Sequence, residues 1–483
     1  MTSDDNFDVI IAGGGLAGLT CAVALSRAGL RIVLLERDRI LGGRAQSWID
    51  PVTGDPVSIG PHILVSEYPN MLKLLDLLET REKIVWDKNT FVTMVEGQHR
   101  IPMKMSMLPA PFHFVPSLLA DRTLANADWL SNVPVTLLSL SLRESDILSL
   151  DRFAAVDILR QLRVSANYID RFWRFLSLSI MNVPLELCSA GAILRLYRRL
   201  IGQGGYRMGF PDGGLGDLFA EQSRQFIHAK AGTILLNTEI RRLLLPEEGG
   251  LGVELTDGRK LHARFCVAAL PPQALFAVLP STWQSRPPFH LLPSFQPVPY
   301  ISVFLWFDRK LTELKFWARV YRKEDLNLDF YDLSNIIRSW RGKPSVIASN
   351  IIFSSRIGDL TDSEIIQRTT IELSEFAPEA RTAQLRDAVV NRIPMAIPAP
   401  FVGSEQLRPD TSTPIPGLFL AGDWIQTGLP ASMESACLSG WRAAERVLEQ
   451  AGKPAKLTVP HSELDWSART LGRFVRRARH LTA

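Results

Sequence analysis

The fold is decided by residues 7–37, which read FDVIIAGGGLAGLTCAVALSRAGLRIVLLER. A buried strand leads into Gly13, Gly15 and Gly18, and a helix of small residues and a second strand ending at Glu36 follow. In such a G-x-G-x-x-G unit the glycines permit a tight turn, close approach of a pyrophosphate and packing of helix on strand. The helix N-terminus offers free N–H groups to phosphates, and the acid is placed to bind ribose hydroxyls. The sequence therefore predicts a dinucleotide site.

A second glycine loop follows in the stretch ILGGRAQSW. Its Gly42-Gly43-Arg44 resembles the signature of the flavoprotein family that contains amine oxidases and carotenoid desaturases, and NAD enzymes do not need it. The Arg44 guanidinium suits a pyrophosphate because it offers several donors in a fixed fork. The resemblance implies that the cofactor is FAD. The residues of both loops expected to contact it are Gly13, Gly15, Leu16, Ala17, Gly18, Glu36, Arg37, Gly42, Gly43 and Arg44.

Near the other end of the chain, residues 418–440 read LFLAGDWIQTGLPASMESACLSG. An apolar strand runs into Gly422-Asp423, and a helix is predicted to begin near Pro430. In the resembling family this segment binds the far side of the same FAD: Asp423 would accept hydrogen bonds from ribityl or neighbouring hydroxyls, and the helix N-terminus would face the pyrimidine end of the isoalloxazine. Further FAD contacts implied by the resemblance are Gly60, Pro61, Ile240, Gly422, Asp423, Pro430, Ala431 and Ser432.

Composition excludes several classes of protein. The 483 residues are too many for one hydrophobic core, so two intertwined domains are expected. A net charge of +4 is small at this size and gives no indication of nucleic-acid binding. The four cysteines lie far apart without metal-ligand spacing, which predicts reduced buried thiols in a cytoplasmic protein and no metal site. No stretch reaches the roughly 18 apolar residues of a membrane span, and the acidic N-terminus is unlike a signal peptide.

The order of strand and helix patterns predicts an α/β fold, with a Rossmann-type FAD-binding domain and an interleaved α+β substrate domain. The first substrate block is mostly helical by periodicity, whereas the second begins with the strand-like YISVFLWFDR. No second G-x-G-x-x-G unit follows a strand, so electrons must be exchanged with an outside partner or with oxygen. The predicted division is residues 1–65, 228–280 and 410–450 for the FAD-binding domain, 66–227 and 281–409 for the substrate domain, and 451–483 for a C-terminal basic tail.

Two stretches could rest on a lipid surface. Residues 101–120 combine methionines, prolines and aromatics with few charges, which indicates either a flexible hydrophobic portal for an oily substrate or an irregular loop lining the core. The end of the chain, SARTLGRFVRRARHLTA, is basic and either attracts anionic headgroups or is a solvated tail. We therefore expect a protein that binds peripherally to the inner face of the membrane. The sequence predicts no particular oligomeric state.

Four stretches together resemble the squalene and phytoene desaturase branch of the FAD-dependent amine oxidase superfamily: GPHILVSEYPNMLKLLDLL, LSIMNVPLELCSAGAILRLY, FLWFDRKL and GLFLAGDWIQTGLPASMESACLSG. Within it, GDW..TGLPAS.E.A..SG and N.P.E..SA look most like hydroxysqualene dehydroxylase of bacterial hopanoid synthesis. GPH....YPNM and the chain length look equally like plant-type phytoene and zeta-carotene desaturases. Ile59-Gly60-Pro61 departs from the Asn-Gly-Gln of the dehydroxylase pattern and favours a desaturase-like flavin face.

The resemblance implies an FAD-dependent oxidoreductase in which hydride passes between the flavin and one carbon of a long apolar isoprenoid. Its favoured reaction is reductive dehydroxylation of hydroxysqualene to squalene, with carotenoid desaturation or flavin-dependent isomerisation as the alternative. His62 is the candidate catalytic acid for the leaving hydroxyl, and a structural histidine bonded to backbone is the other interpretation. Asn182 and Pro184 match the family motif and are candidate substrate contacts.

Two further classes are weaker. An amine oxidase of the same fold would need an aromatic cage and a polar path for a cationic substrate, and GDWIQTGLPASMES does not place aromatic pairs where that family does. A flavin-free protein that binds prenyl lipids would not need the intact glycine motif, Arg44 and Asp423.

Overall fold

The structure is a computed structural model in which residues 7–482 are described, except for residues 88, 89, 98, 122, 247–249 and 321. The sequence also predicts a Glu-Glu-Gly-Gly turn at residues 247–250, in the middle segment of the FAD-binding domain, and most of this turn lies outside the described residues. The strands are β1 Phe7–Ala12, β2 Ile32–Leu35, β3 Ser47–Ile49, β4 Pro56–Ser58, β5 Leu64–Val65, β6 Ile84–Trp86, β7 Thr90–Glu96, β8 His99–Lys104, β9 Met208–Pro211, β10 Thr233–Leu235, β11 Ile240–Leu244, β12 Gly252–Leu255, β13 Lys260–Ala268, β14 Pro297–Phe307, β15 Phe316–Arg319, β16 Asp329–Asp332, β17 Val346–Ile351, β18 Leu385–Pro398 and β19 Leu418–Leu420.

The helices alternate with these strands along the chain. The α-helices are α1 Leu16–Arg27, α2 Pro69–Leu77, α3 Val115–Ala120, α4 Asn126–Ser131, α5 Val133–Ser141, α6 Glu144–Leu150, α7 Ala155–Gln161, α8 Ala166–Tyr168, α9 Arg174–Leu176, α10 Ala190–Gly202, α11 Ala220–Ala229, α12 Pro272–Val278, α13 Ser281–Gln284, α14 Leu333–Ile336, α15 Asp362–Ser374, α16 Met433–Gln450 and α17 Trp466–Thr482. Two π-helical turns, Ile169–Trp173 and Ser177–Met181, flank α9.

The first sheet carries the N-terminal glycine motif. Its seven strands follow the order β10-β2-β1-β13-β12-β11, with β19 on β13. Strands β10, β2, β1, β13 and β19 run parallel, and β11 to β13 form an antiparallel meander. All of β2 and the last four residues of β1 are buried because both faces of the parallel part are covered. Helices α1 and α16 pack together on one of these faces, and the α/β class predicted from the sequence is confirmed.

The second sheet has seven strands in the order β18-β14-β17-β16-β15-β7-β8. Its longest pairing joins β14 to β18, and the predicted strand YISVFLWFDR is the body of β14. Residues alternate between two buried faces: an outer face packs on α15, and an inner face packs towards the segment that follows β4. All seven strands come from the two segments predicted as the substrate domain, and all seven strands of the first sheet come from the three segments predicted as the FAD-binding domain.

The block 66–227 is mostly helical, as its periodicity predicts, but its described residues also contain four strands. It contributes β6 and β9 to a small sheet with β5, and β7 and β8 to the edge of the large sheet. Val92, Thr93, Met94 and Val95 of β7 are all buried, so both faces of this strand are covered. The strands of this block were missed because the longer helical stretches on either side dominate the pattern.

The C-terminal basic segment is a helix docked on the molecule over most of its length, not a solvated tail. Helix α17 packs on α5, and a Cβ added at Gly472 would lie 2.3 Å from the carbonyl oxygen of Leu140. Ala468 is fully buried, and Leu471 and Val475 are partly buried at the three- and four-residue spacing of a helix face. The many arginines of this segment made its sparse apolar helix face difficult to recognise from the sequence. Within the described residues no helix is both long enough and apolar enough to cross a membrane.

Candidate active site

The turn after β1 is shaped by glycines. Gly13 has a φ of +105°, and a Cβ there would lie 2.6 Å from the carbonyl oxygen of Ala269. A Cβ at Gly18 would lie 2.0 Å from the carbonyl oxygen of Gly13, so helix α1 can pack on the turn only with glycine at that position. Gly15 faces open space and begins α1 without a side-chain cap. The first N–H groups of the helix, at and after Leu16 and Ala17, are therefore placed to bind a phosphate.

Glu36 lies beside this turn. Its carboxylate accepts hydrogen bonds from the backbone N–H of Gly14 at 2.7 Å and of Asp38 at 2.9 Å, and it is nearly buried. A carboxylate can accept about four hydrogen bonds, so Glu36 can also accept hydrogen bonds from ribose hydroxyls. Arg37, predicted as a further FAD contact, is mostly exposed and pairs with Asp38 at 3.8 Å.

Ile240 lies at the same end of the site. It is the first residue of β11 and is partly buried. Two residues earlier, the N–H of Thr238 donates to the carbonyl oxygen of Glu36 at 2.8 Å, which holds this strand beside the acid. The structure thus brings Ile240 close to Glu36, which is predicted to bind ribose hydroxyls. The adenine end of a dinucleotide would lie here.

The second glycine loop lies directly on the first. Gly42 donates from its backbone N–H to the carbonyl oxygen of Gly14 at 2.9 Å, and both Gly42 and Gly43 have positive φ. A Cβ at Gly43 would come within 3.3 Å of the Cα of Gly15. Side chains at these positions would separate the two loops, so the doublet closes the turn on the side where a phosphate would bind.

The two ends of the chain meet at Arg44 and Asp423. The guanidinium of Arg44 donates to both carboxylate oxygens of Asp423, at 2.7 and 3.1 Å, and to the carbonyl oxygen of Ala396 at 3.2 Å. The carboxylate is 8% exposed and Gly422 before it has a φ of +148°. Arg44 and Asp423 were each predicted to contact FAD, and in the structure they form an ion pair with each other. This pair joins the N-terminal loops to the segment that follows the C-terminal strand β19.

Helix α16 begins later than predicted. It runs from Met433, and the Ser432 hydroxyl caps it by accepting from the N–H of Ser435 at 3.2 Å. Pro430 and Ala431 belong to the loop before it, because serine at the N-cap fixes the start more strongly than the proline two residues upstream. Further along, a Cβ at Gly440 would lie 2.4 Å from the carbonyl oxygen of Ala17, so the small residues of α16 serve its contact with α1.

A small, partly open cavity lies beside the Arg44–Asp423 pair. Its wall is largely apolar, with a short charged stretch near Asp423. The residues that line it are Ile180, Met181, Phe295, Ile397, Pro398, Ala399, Pro400, Ser404, Glu405, Arg408, Asp423, Trp424, Pro430 and Ala431. An apolar wall with a few placed polar groups is typical of a small-molecule site.

Glu405 and Arg408 are polar wall residues that the sequence analysis did not identify. Arg408 donates to the carbonyl oxygens of Asp423 at 2.9 Å and Ile425 at 3.1 Å, and it pairs with Glu405 at 3.3 Å. Arg195 of α10 also pairs with Glu405. Burial opposes ionisation of Glu405, but the two arginines outweigh it and lower the pKa of this carboxyl. A glutamate and an arginine three residues apart, directly after the apolar stretch IPAPFVG, were the available signal.

His62 lies after the Gly60-Pro61 turn. Its Nδ1 is 2.8 Å from the carbonyl oxygen of Gly60, and because a carbonyl can only accept, Nδ1 carries the hydrogen and Nε2 keeps its lone pair. Burial lowers the pKa of His62 although the Gly60 bond opposes the shift. At neutral pH the imidazole is therefore uncharged and suited to accept a proton at Nε2. The catalytic role of His62, predicted as that of an acid, stays a prediction.

Asn182 and Pro184 follow the second π-helical turn. Asn182 has a φ of 57°, and its amide donates to the carbonyl oxygen of Ile180 at 3.4 Å, while the Pro184 carbonyl accepts from the chain that follows. The neighbouring Ile180 and Met181 are the residues at the cavity wall. Helical bulges of this kind are frequent at functional sites, but a substrate role for Asn182 and Pro184 stays a prediction.

These features fit a dinucleotide held along the carboxyl ends of parallel strands. The open space before Gly15, the uncapped helix N-terminus and the acceptor at Glu36 match a pyrophosphate and a ribose. The molecule is thus built as a flavin-dependent oxidoreductase. The chain belongs to the family of flavin containing amine oxidoreductases, whose family model matches residues 16–448, and its cofactor is FAD.

Comparisons with known proteins identify relatives of this chain within the class. The chain is 28% identical over 460 residues to a 15-cis-phytoene desaturase of Synechococcus elongatus, covering 91% of this chain and 95% of that relative. It is 28% identical to a chloroplastic/chromoplastic 15-cis-phytoene desaturase of Solanum lycopersicum, over 92% of this chain and 78% of that relative. It is 23% identical to a protein of Synechococcus elongatus described as a probable zeta-carotene desaturase, over 91% and 98% of the two chains.

Solved structures share the fold at lower sequence identity. A putrescine oxidase variant superposes with a TM-score of 0.69 at 17% identity, covering 92% of this chain and 99% of that chain. Cyclohexylamine oxidase from Brevibacterium oxydans superposes with a TM-score of 0.65 at 17% identity, over 92% and 100% of the two chains. At this identity the likeness shows the fold alone. The resemblance to the amine oxidase and phytoene desaturase superfamily, drawn from the sequence, is confirmed.

Proposed function

We propose that this chain is an FAD-dependent desaturase of a long, carotenoid-type polyene hydrocarbon. The observation that carries the proposal is the similarity to phytoene desaturases along nearly the whole chain, 91% of it in the Synechococcus elongatus comparison. The comparisons support this reaction, which was the alternative drawn from the sequence, better than the dehydroxylation of hydroxysqualene.

The geometry of the site supports the same reaction. Desaturation breaks two neighbouring C–H bonds and forms one C=C bond, releasing a hydride and a proton. Bound FAD in its oxidised form would supply the hydride acceptor. His62 would take the proton at Nε2, and the apolar cavity wall would bind a hydrocarbon and exclude water. Arg408 and Glu405 neutralise each other at the wall, so the cavity presents little net charge to the substrate.

A dehydroxylase would need the reverse proton transfer. Its leaving hydroxyl requires a proton donor, and an imidazole whose pKa is lowered by burial is a poor donor at neutral pH. The reductive reaction therefore has less support from His62 than desaturation. An isomerase would use the same site without net transfer of electrons, and it is separated from a desaturase by the need for an electron acceptor.

The experiment is anaerobic incubation of the purified holoenzyme with phytoene in lipid vesicles, with and without a benzoquinone as acceptor. We expect products that have lost hydrogen in pairs, seen by mass and by their longer-wavelength absorption, only when the quinone is present. A parallel reaction contains hydroxysqualene and chemically reduced holoenzyme. Squalene in that reaction without any desaturation of phytoene would overturn the proposal, and product of unchanged mass from phytoene would indicate an isomerase.

The electron acceptor and the hydrocarbon are both lipid-soluble in this proposal, and the surface offers a place for a membrane. Met107, Leu108, Phe112 and Leu119 are exposed apolar side chains in one segment, which we call the apolar rim. Helix α17 begins beside it, because the Ser467 hydroxyl donates to the carbonyl oxygen of Ala110. Exposed Phe474, Arg473 and Arg477 of α17 extend this surface. Apolar side chains next to arginines are suited to an anionic lipid surface.

Flotation with vesicles tests the membrane contact. We expect the wild-type protein to float with vesicles that contain anionic lipid and less with purely zwitterionic ones. A Met107→Glu, Phe112→Glu double variant should lose flotation, whereas Val52→Glu, at an exposed apolar residue elsewhere, should keep it. Equal flotation of the rim and control variants would remove the proposed contact without affecting the proposed reaction.

A further inference from the structure

A row of polar side chains crosses the inner face of the second sheet. Asn391 of β18 lies opposite Ser302 of β14, Ser302 lies opposite Asn350 of β17, and Asn350 lies opposite Asp329 of β16. The residues on the same face around this row are mostly aromatic or apolar: Phe304, Trp306, Phe316, Ala318, Tyr331 and Ala348. Polar side chains are rarely buried in such a row unless they have partners.

The row holds the turn that carries His62. The Ser302 hydroxyl donates to the carbonyl oxygen of Ile59 at 2.6 Å, and the Asn350 amide donates to that of Pro61 at 3.5 Å. Tyr300, on the same strand face as Ser302, is so close that a Cβ at Gly60 would lie 3.0 Å from its hydroxyl oxygen. The inner face therefore sets the position of the backbone from which the imidazole projects.

Asp329 is the buried end of this row. It is 4% exposed, its Oδ2 accepts from the Tyr331 hydroxyl at 3.3 Å, and its Oδ1 has no partner among the described residues. The Oδ1 of Asn350 is likewise buried and without a partner there. A carboxylate left with an open oxygen in an apolar face is costly, whereas a protonated carboxyl is not.

The surroundings of Asp329 contain little that would hold its charge. Tyr300 faces it from β14, Tyr331 from its own strand, Asn350 from β17 and Ala318 from β15. Arg319, the next charged residue along β15, is paired on the other side of the sheet with acidic residues of α15. Burial raises the pKa of Asp329 to about 7, against the opposing influence of the neighbouring Asn350 and Tyr331.

We infer that Asp329 is a positioning residue for His62 and that Asp329 acts through Asn350. Uncharged Asp329 leaves the Asn350 amide on the Pro61 carbonyl and so holds the turn. Ionised Asp329 is a stronger acceptor than a backbone carbonyl, so it pulls the whole Asn350 amide towards itself, and the bond to the Pro61 carbonyl, already long at 3.5 Å, is lost. No bond is made or broken in this step apart from the loss of one proton to water. The inference rests on the proposed function only in that His62 is the proton acceptor there.

Hydrogen exchange in the FAD-loaded protein tests this link without any substrate. We expect the peptide that spans residues 57–66 to lose protection as the pH rises from about 6 to about 8, after correction for intrinsic exchange. Asp329→Asn cannot ionise and should keep the protection at both values. Asn350→Ala removes the connection and should show low protection throughout. Asp332→Asn, on the same strand but facing the other way, is the matched control and should keep the wild-type transition.

Turnover gives the second measurement. The wild-type kcat at about pH 8 should be roughly a tenth of its plateau at lower pH, because one unit above its pKa only about a tenth of an acid is protonated. Asp329→Asn should remove that fall with little change in KM. A transition in exchange that persists in Asp329→Asn, or its absence from the wild type, would overturn the inference. If exchange behaves as expected while phytoene is not converted at any pH, the proposed function fails and the positioning role stands.

Discussion

The cofactor loops and the inner face of the second sheet form their parts of the site in different ways. At the loops, backbone packs on backbone: Gly18 lies on the Gly13 carbonyl and Gly43 lies on Gly15. The fit therefore depends on the absence of a side chain at these glycine positions. At the inner face, side chains of β14 and β17 meet the turn before His62, so the fit depends on register between strands far apart in the chain. Changes in the first region should therefore remove the cofactor, and changes in the second should alter turnover while the cofactor stays bound.

The largest effect is expected from Gly18→Ala. A methyl group at that position would lie 2.0 Å from the Gly13 carbonyl oxygen, and neither backbone segment can move without opening the turn. We expect a protein that purifies without FAD or does not fold, measured by the ratio of flavin to protein absorbance and by thermal unfolding. Gly204→Ala is the control, because Gly204 has no positive φ and a Cβ there would make only an ordinary contact, 3.4 Å from a carboxylate oxygen of Asp465. Full flavin content in Gly18→Ala would show that the loop is more adaptable than its contacts indicate.

His62→Gln should give the next largest loss, in turnover and not in flavin content. Glutamine can still donate to the Gly60 carbonyl but cannot take up a proton, so about a 100- to 10,000-fold lower kcat is expected for a lost general base. On the acid side of the pH profile, the wild-type rate should decline only when the pH falls below the ordinary pKa range of histidine, since burial lowers the pKa of His62. An acid-side decline that begins above that range, or a variant with normal kcat, would mean that His62 is structural.

Arg44→Ala lies between the two regions, because Arg44 joins the glycine loops to Asp423. The substitution leaves the carboxylate of Asp423, which is 8% exposed, without its partner, and it removes donors for a pyrophosphate. We expect FAD to bind roughly 10- to 100-fold more weakly, about 1.4 to 3 kcal/mol, measured by titrating apoprotein with FAD. Arg160→Ala is the matched control, since Arg160 is 64% exposed, pairs with the exposed Asp157 on α7 and should leave the affinity unchanged. Equal losses in both variants would indicate a general effect of charge.

This difference also explains what could be predicted from the sequence. The spacing of Gly13, Gly15 and Gly18 is local, and each glycine answers a steric requirement within a few residues, so the first sheet and its turn followed from the motif. The Arg44–Asp423 pair spans 379 positions. Both residues were identified by resemblance as FAD contacts, but nothing local could show that they bond each other.

The inner face was out of reach for the same physical reason. Asp329, Asn350 and Ser302 have no unusual neighbours in the sequence, and only the register of β14, β17 and β16 brings them into one row. The direction of proton transfer at His62 depends on a bond to Gly60 and on burial, neither of which a residue type reveals. Helix α17 was missed because its buried face has only a few small and apolar residues among arginines.

The smallest effect, and the finest test of the comparison, is Gly60→Ala. Its Cβ would lie 3.0 Å from the Tyr300 hydroxyl oxygen and 3.5 Å from Oδ1 of Asn350, which is tight but opposed by side chains and not by backbone. We therefore expect normal flavin content and a kcat only a few-fold lower, about 1 kcal/mol or less, because these side chains can give way by a few tenths of an ångström. Adding Tyr300→Phe removes the closest atom and should restore most of the loss. A variant that loses flavin instead would show that the His62 turn, like the glycine loops, is fixed by close backbone packing.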